Sequence, residues 1–285
     1  MIISVASGKG GTGKTLVATN LALSLKNQVG VQFLDCDVEE PNAHIFLKPV
    51  IERQETVSIP IPQVDEARCT FCGKCSEACT FNAIAVLKNK VLVFPELCHG
   101  CGVCSYICPE DAISEVEREL GVAEVGYSGE VGFVQGRLTI GLAVAPPVIR
   151  RVKGHIDPKR VAIIDVCPGT SCPMVEAVKG SDFCLLVTEP TPFGLNDLTL
   201  AVEVTRKLDI PCGVVINRAG VGDNKVEEYC LKEGIPILLQ IPLDIQIAQL
   251  YSKGVPLVEG MPEWRDAFIA LFQGIMQVSI GGSIR

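Results

Sequence analysis

Short apolar runs punctuate this chain at intervals that suit strands alternating with helices. Runs at 2–6, 31–34, 138–144, 161–165, 183–187, 213–216 and 237–241 each have the length of one buried strand. Stretches of helical spacing lie between them, the first from Leu16 to Leu25. This alternation predicts an α/β fold, a doubly wound and mainly parallel sheet. The pattern lapses once. Between about 64 and 120 large apolar side chains thin out, and the strand signal shrinks to two runs, 84–87 and 91–94, expected to pair as a hairpin around Lys88-Asn89-Lys90. Pro60, Pro62 and the polar stretch Gln63 to Arg68 mark the way in, while Gly121, Gly126, Ser128 and Gly129 predict a loose way out. The expected organisation is one discontinuous domain, 1–63 with 121–285, interrupted by an insert at 64–120. An insertion of this kind is mild, since each doubling of loop length costs only about 0.6 kcal/mol when the ends stay close.

With 285 residues, 48% of them hydrophobic, the chain can bury a substantial core, but the insert cannot build one alone. What it has instead is eight of the 14 cysteines, arranged as Cys69, Cys72, Cys75, Cys79 and again as Cys98, Cys101, Cys104, Cys108. At a fixed offset of 29 residues Gly73 also matches Gly102, Ser76 matches Ser105, and Ala83-Ile84 matches Ala112-Ile113, so the insert is an internal duplication. Each copy is similar to the C-x2-C-x2-C-x3-C run of bacterial ferredoxins. The resemblance implies an inserted α+β ferredoxin-like domain carrying two [4Fe-4S] clusters. By the ferredoxin rule Cys69, Cys72, Cys75 and Cys108 hold one, and Cys98, Cys101, Cys104 and Cys79 the other. The alternatives are disulfides and zinc sites. Disulfides need an oxidising compartment, yet the opening MIISVASGKG has neither a basic region nor an apolar leader, and zinc sites use cysteine pairs with longer gaps. One departure is Thr80, which stands where proline follows the fourth cysteine in the second copy.

The first apolar run leads into Gly8-Lys9-Gly10-Gly11-Thr12-Gly13-Lys14-Thr15 and then into the first helical stretch. A strand, a G-x-x-x-x-G-K-T loop and a helix in that order make a phosphate cradle: glycines let backbone N–H groups converge, Lys14 neutralises phosphate oxygens, and Thr15 offers its hydroxyl to Mg2+. Lys9, at the second position of the loop, makes the chain resemble the MinD/ParA/Mrp superfamily, which includes the nitrogenase iron protein. The resemblance implies an ATPase that forms a homodimer sandwiching ATP, with Lys9 reaching the partner's nucleotide. It implies a switch I in Asp35-Cys36-Asp37-Val38-Glu39-Glu40-Pro41-Asn42, where Asp37 activates or orients water, and a Walker B acid in Asp165, ahead of a switch II in Val166-Cys167-Pro168-Gly169. The run from Leu185 to Gly194 is similar to a MinD stretch. Asn217, followed by Arg218, takes the adenine-binding position, and Ile241-Pro242-Leu243-Asp244 the loop closing over the base.

The formal charge of −8 opposes non-specific nucleic-acid binding. Arg150, Arg151 and Lys153, with Lys159 and Arg160, read as a solvated helix end. No apolar run reaches bilayer length, and the tail Gln273 to Arg285 makes a poor membrane-surface helix, so a cytoplasmic protein without nucleic-acid or membrane partners is expected. Of the six remaining cysteines, Cys184 and Cys212 read as core residues. Cys36, Cys167 and Cys172 lie near the switches, where related ATPases can hold a metal cluster between subunits; Cys230 is the sixth. Three functions stay open at this stage: ATP-gated electron transfer to a redox or metalloprotein partner, a carrier or assembly factor for iron-sulfur centres, and a redox-sensing spatial regulator. Against the carrier stands the absence of a paired C-x-x-C near the C-terminus.

Overall fold

A computed structural model describes residues 1–281. Strand β1 (Ile2–Ala6) runs through the glycine loop into helix α1 (Lys14–Leu25), and β2 (Val31–Cys36) leads to α2 (Ala43–Leu47). Strand β3 (Val50–Val64) carries the chain out to the cysteine-rich part, which holds α3 (Lys74–Glu77), the hairpin β4 (Ile84–Leu87) and β5 (Lys90–Val93), and α4 (Val103–Tyr106). Strand β6 (Ile113–Ser128) brings it back. The rest alternates: β7 (Val131–Leu138), α5 (Pro146–Lys153), β8 (Val161–Val166), α6 (Cys172–Val178), β9 (Phe183–Thr188), α7 (Pro192–Lys207), β10 (Cys212–Ala219), α8 (Lys225–Glu233) and β11 (Ile237–Pro242). Helices α9 (Ile245–Ser252), α10 (Leu257–Gly260) and α11 (Trp264–Gly281) follow.

The large sheet has the order β11-β10-β9-β1-β8-β2-β7-β6-β3. Its pairs from β11 to β7 are parallel, and β7-β6 and β6-β3 are antiparallel. Successive strand residues serve opposite faces, as a period of two demands. Val5, Phe33 and Ile163 pack beneath α1 and α11, while Ala6, Leu34 and Ile164 pack beneath α5, α6 and α7. Being covered on both sides is what makes these strands apolar throughout. Six of the seven expected strands are present with small changes at their ends.

The seventh is not. Residues 139–144 form a turn, and the strand in that region is β7, lying wholly upstream except for Leu138. Gly141 has φ 87°, which an extended strand does not adopt, and Pro146 and Pro147 open α5 directly after the expected run. The expected loose exit is also absent. Gly121, Gly126 and Ser128 lie within β6, and Pro60, Pro62 and Gln63 within β3, so a two-stranded ribbon continues the main sheet outward to the Val64–Ile113 pair. Both prolines fit because β3 is the sheet edge, and positions 60 and 62 lie on one side of the strand, where a missing N–H costs no ladder bond. A Cβ on Gly121 would stand 2.2 Å from the Arg137 carbonyl oxygen, so glycine there marks a close backbone approach and not a flexible hinge.

Of the basic group on α5, Arg150 and Arg151 are exposed as expected, whereas Lys153 is not simply solvated. Lys153 Nζ donates to the carbonyls of Glu176, Ala177 and Lys179 at 2.8, 2.8 and 2.6 Å, closing the end of α6, and Arg151 pairs with Glu55 of β3 at 2.7 Å. The tail up to Gly281 is part of α11, which buries Phe268, Leu271 and Ile275, whereas residues 282–285 lie outside the described residues. Among the described residues no helix is long and apolar enough to cross a membrane.

Candidate functional site

The glycine loop sits between β1 and α1, pressed against α7 and β10. A Cβ on Gly8 would lie 2.3 Å from the Asp197 carbonyl oxygen. Gly13 has φ 95°, and a Cβ there would lie 2.4 Å from Asn217 Nδ2, so this position is closed to other residues twice over. Asn217, at the end of β10, donates through Nδ2 to the Thr12 carbonyl at 2.8 Å and accepts the Arg218 N–H at 3.0 Å. It therefore braces the loop as well as lining the cavity.

Lys14 is buried, and Thr15 donates its hydroxyl to Asp165 Oδ2 at 2.6 Å. The other oxygen, Oδ1, is buried without a protein partner, and this oxygen with the Thr15 hydroxyl makes a donor set that fits Mg2+. Parallel register places Asp35 beside Asp165. Asp35 accepts N–H bonds from Asp37 and Ala43, both at 3.1 Å, and so pins the segment that carries Asp37. Burial, then the Asp165 charge, raises Asp35 well above the usual carboxylate range. Burial and Asp165 push Asp37 up to about 7. Burial raises Asp165 to about 6 against the opposing pull of Lys14 and the Thr15 bond. Three acids thus face one lysine at the carboxyl ends of β2 and β8. A cavity of about 410 Å³ opens in front of them, lined by Gly11, Lys14, Asp37 and Asn217 and closed on its apolar side by Pro242, Leu243 and Tyr251.

Lys9, Gly10 and the rest of the loop lie where expected, but Lys9 is engaged within its own chain. Its Nζ is 3.3 Å from Glu189 Oε2, and Glu189 Oε1 is 2.7 Å from Arg218. Sequence reasoning assigned Glu189 and Asp35 no role of their own. An acid at the end of an apolar strand is the signal that both carry.

The second site lies at the far end of the ribbon. Cys69, Cys72, Cys75 and Cys108 line one cavity. Cys79, Cys98, Cys101 and Cys104 line another. Three thiols of each set come from one copy of the repeat and the fourth from the other. Gly73 and Gly102 have φ 84° and 72°, turning the backbone around each set, and Phe71, Ala83, Gly100 and Ala112 donate N–H bonds to sulfur at 3.2 to 3.5 Å. Among the described residues no three His, Cys, Asp or Glu side chains converge closely enough for one shared ion. A four-iron cube asks for something different, since each thiolate ligates its own iron. The surrounding thiols and amide donors suit that group. Cys36 and Cys167 are buried and Cys172 is exposed, and among the described residues of one chain they form no group of three metal-ligating side chains.

A glycine loop after the first strand of a parallel sheet, with its lysine, threonine and strand-end acid assembled around one cavity, defines a P-loop nucleotide-binding protein. More narrowly, the chain belongs to the CobQ/CobB/MinD/ParA nucleotide binding domain family, whose model matches residues 3–257. An uncharacterized protein of Methanocaldococcus jannaschii is 31% identical over 283 residues, covering 97% of each chain. The iron-sulfur cluster carrier protein of Aquifex aeolicus is 26% identical over 97% of this chain and 67% of its own length. In fold, the chain is similar to the septum site-determining protein MinD of Pyrococcus horikoshii in complex with Mg-ADP, with TM-score 0.57, 23% identity and coverage of 96% and 95%.

Proposed function

We propose that this protein is a Mg2+-dependent ATPase whose nucleotide-driven homodimer is coupled to electron transfer through two [4Fe-4S] clusters. The observation that carries the redox half is the crossed thiol sets, which use all eight repeat cysteines and leave none of them free to hand a cluster on. A cluster bound there would supply one-electron storage. Thr15 and Asp165 would hold Mg2+, Lys14 would neutralise the phosphates, and Asp37 would orient the attacking water and take its proton. Asn217, Arg218 and the Pro242 loop would enclose the base.

Coupling has a physical route. Leu138 of β7 donates its N–H to the Val38 carbonyl at 2.8 Å, one residue beyond Asp37. A Cβ on Gly136 would lie 2.5 Å from Val38, so the Asp37 segment and β7 are in close contact. Strand β7 is bonded along its length to β6, which runs out to the cysteines. Displacement of the Asp37 segment on nucleotide exchange therefore bears on the ribbon. The test is the pair of midpoint potentials measured with no nucleotide, with ADP and with a non-hydrolysable ATP analogue. A nucleotide-dependent shift is expected, and identical potentials with identical electron delivery to an acceptor would sink the coupling.

A second reading, a carrier or assembly ATPase for iron-sulfur centres, is favoured by the Aquifex aeolicus relative, an iron-sulfur cluster carrier protein. It requires clusters that leave. Incubating loaded protein with an apo-acceptor separates the two: full retention over repeated transfers excludes the carrier, and stoichiometric loss excludes the electron-transfer reading.

A further inference from the structure

The two cysteine cavities share a scaffold but differ in charge. The offset of 29 residues places Lys74 opposite Val103 and Val86 opposite Glu115. Lys74 and Val86 line the cavity of Cys69, Cys72, Cys75 and Cys108, together with Glu110. Val103 and Glu115 line the cavity of Cys79, Cys98, Cys101 and Cys104. Around the first set one lysine offsets one glutamate, while the second set faces the carboxylate of Glu115, with His99, stacked on Phe81, the other ionisable side chain of its lining. That carboxylate is held in place. Its Oε1 accepts the Ser105 hydroxyl and lies 3.2 Å from where a Cβ on Gly102 would stand.

Amide donation and burial do not offset the difference between Lys74 and Glu115. Each set receives two backbone N–H bonds to sulfur, from Phe71 and Ala112 at 3.4 and 3.3 Å on the first, and from Gly100 and Ala83 at 3.5 and 3.2 Å on the second. Each set has one exposed cysteine, Cys72 or Cys101, and Cys98 is more buried than its counterpart Cys69. Net charge and burial both tune a cluster's potential, and a neighbouring anion or a drier site opposes the added negative charge of reduction. Both act in one direction here.

Resting on the reading of these cavities as [4Fe-4S] sites, we propose that the two clusters differ in reduction potential, with Glu115 lowering the one at Cys79, Cys98, Cys101 and Cys104 and Lys74 raising the other. Position gives the difference a direction. Gly100 packs against Ile59 and Pro60 on the inner ribbon, whereas the first cavity takes Val64 and Ile113, the outermost pair. The first electron from a one-electron reductant settles on the outer cluster, and the inner cluster, nearer the nucleotide sheet, is the stronger donor.

The test uses the full chain isolated without oxygen. Iron and acid-labile sulfide are counted first, and then an electron paramagnetic resonance titration against potential is run on wild type and variants. Two separated reduction steps are expected. Glu115→Gln should raise the lower step and leave the upper one in place, Lys74→Val and Val86→Glu should each lower the upper step, and all three shifts should shrink at high salt as screening increases. Iron for fewer than two clusters overturns the parent reading and this proposal with it. Full iron content with a lower step that Glu115→Gln leaves unmoved, or with movement of the upper step instead, overturns this proposal alone. Val86→Glu, which creates no cavity at a ligand, keeps the test open should Lys74→Val fail to load.

Discussion

Asp37 sits where burial and the Asp165 charge make ionisation costly, and its proton is held up to about pH 7. In the unfolded chain the same carboxyl loses its proton near 3.9. Between those two values the folded state binds the extra proton, so this group favours folding on the acid side and its contribution fades as pH climbs from about 4 to about 7. Asp37→Asn removes that dependence. Without nucleotide or Mg2+, the Tm of the variant minus that of wild type should grow from pH 5 to 7 and level off by about 8. A constant difference across the range contradicts the burial argument. The same substitution should keep nucleotide binding and lose hydrolysis, since Lys14 and the loop glycines are untouched. Glu189 is a different residue-scale case: its buried carboxylate joins Lys9 to Arg218 across two chain segments. Glu189→Ala leaves two cations facing one another with no anion, and should weaken ADP binding by about 1 kcal/mol or more through disorder of the loop. Titration calorimetry reads that loss directly.

The ribbon of β3 and β6 is the element that sequence periodicity handled worst. Its outer half reads Ser114-Glu115-Val116-Glu117-Arg118-Glu119, and most of those residues are exposed. A strand solvated on both faces has no apolar alternation to display, so only its partner reveals it. The glycines there look like turn signals, yet a Cβ on Gly121 or Gly126 would stand 2.2 or 2.0 Å from a carbonyl oxygen of the neighbouring strand. Gly121→Ala should therefore destabilise the protein by about 1–3 kcal/mol more than Gly129→Ala. At Gly129 an added methyl meets open space and only a φ of 57° opposes it. Urea unfolding followed by circular dichroism makes the comparison, and equal effects would count against the close approach. By contrast, the hairpin of β4 and β5 was legible, because two short apolar runs flank a polar turn and pair locally.

Across the whole molecule, apolar packing and cysteine chemistry occupy separate territory. Both buried clusters of the core draw on the sheet and its helices, and between residues 62 and 119 neither takes a member. The cysteine-rich part buries small apolar side chains of its own, Ala83, Ile84, Val91 and Ala112, and on the proposed reading gains further stability from clusters held by its thiols. Removing iron with a chelator, without oxygen, should expose residues 65–112 to amide exchange and proteolysis first, while ADP binding by the remainder persists. Simultaneous exchange in both parts would show that they unfold as one.

What the sequence determined by itself is whatever its local pattern encodes: the phosphate loop, the doubled thiol run, and six strands whose apolar character follows from cover on both faces. These need no knowledge of distant neighbours. Tertiary structure alone decided the rest. It placed Asp35 beside Asp165, tied Lys9 to Glu189, put Asn217 under Gly13, and carried the main sheet out to the cysteines as a ribbon. Each of these joins residues that the chain keeps far apart, and their pairing is set by strand order and register, which no single segment contains.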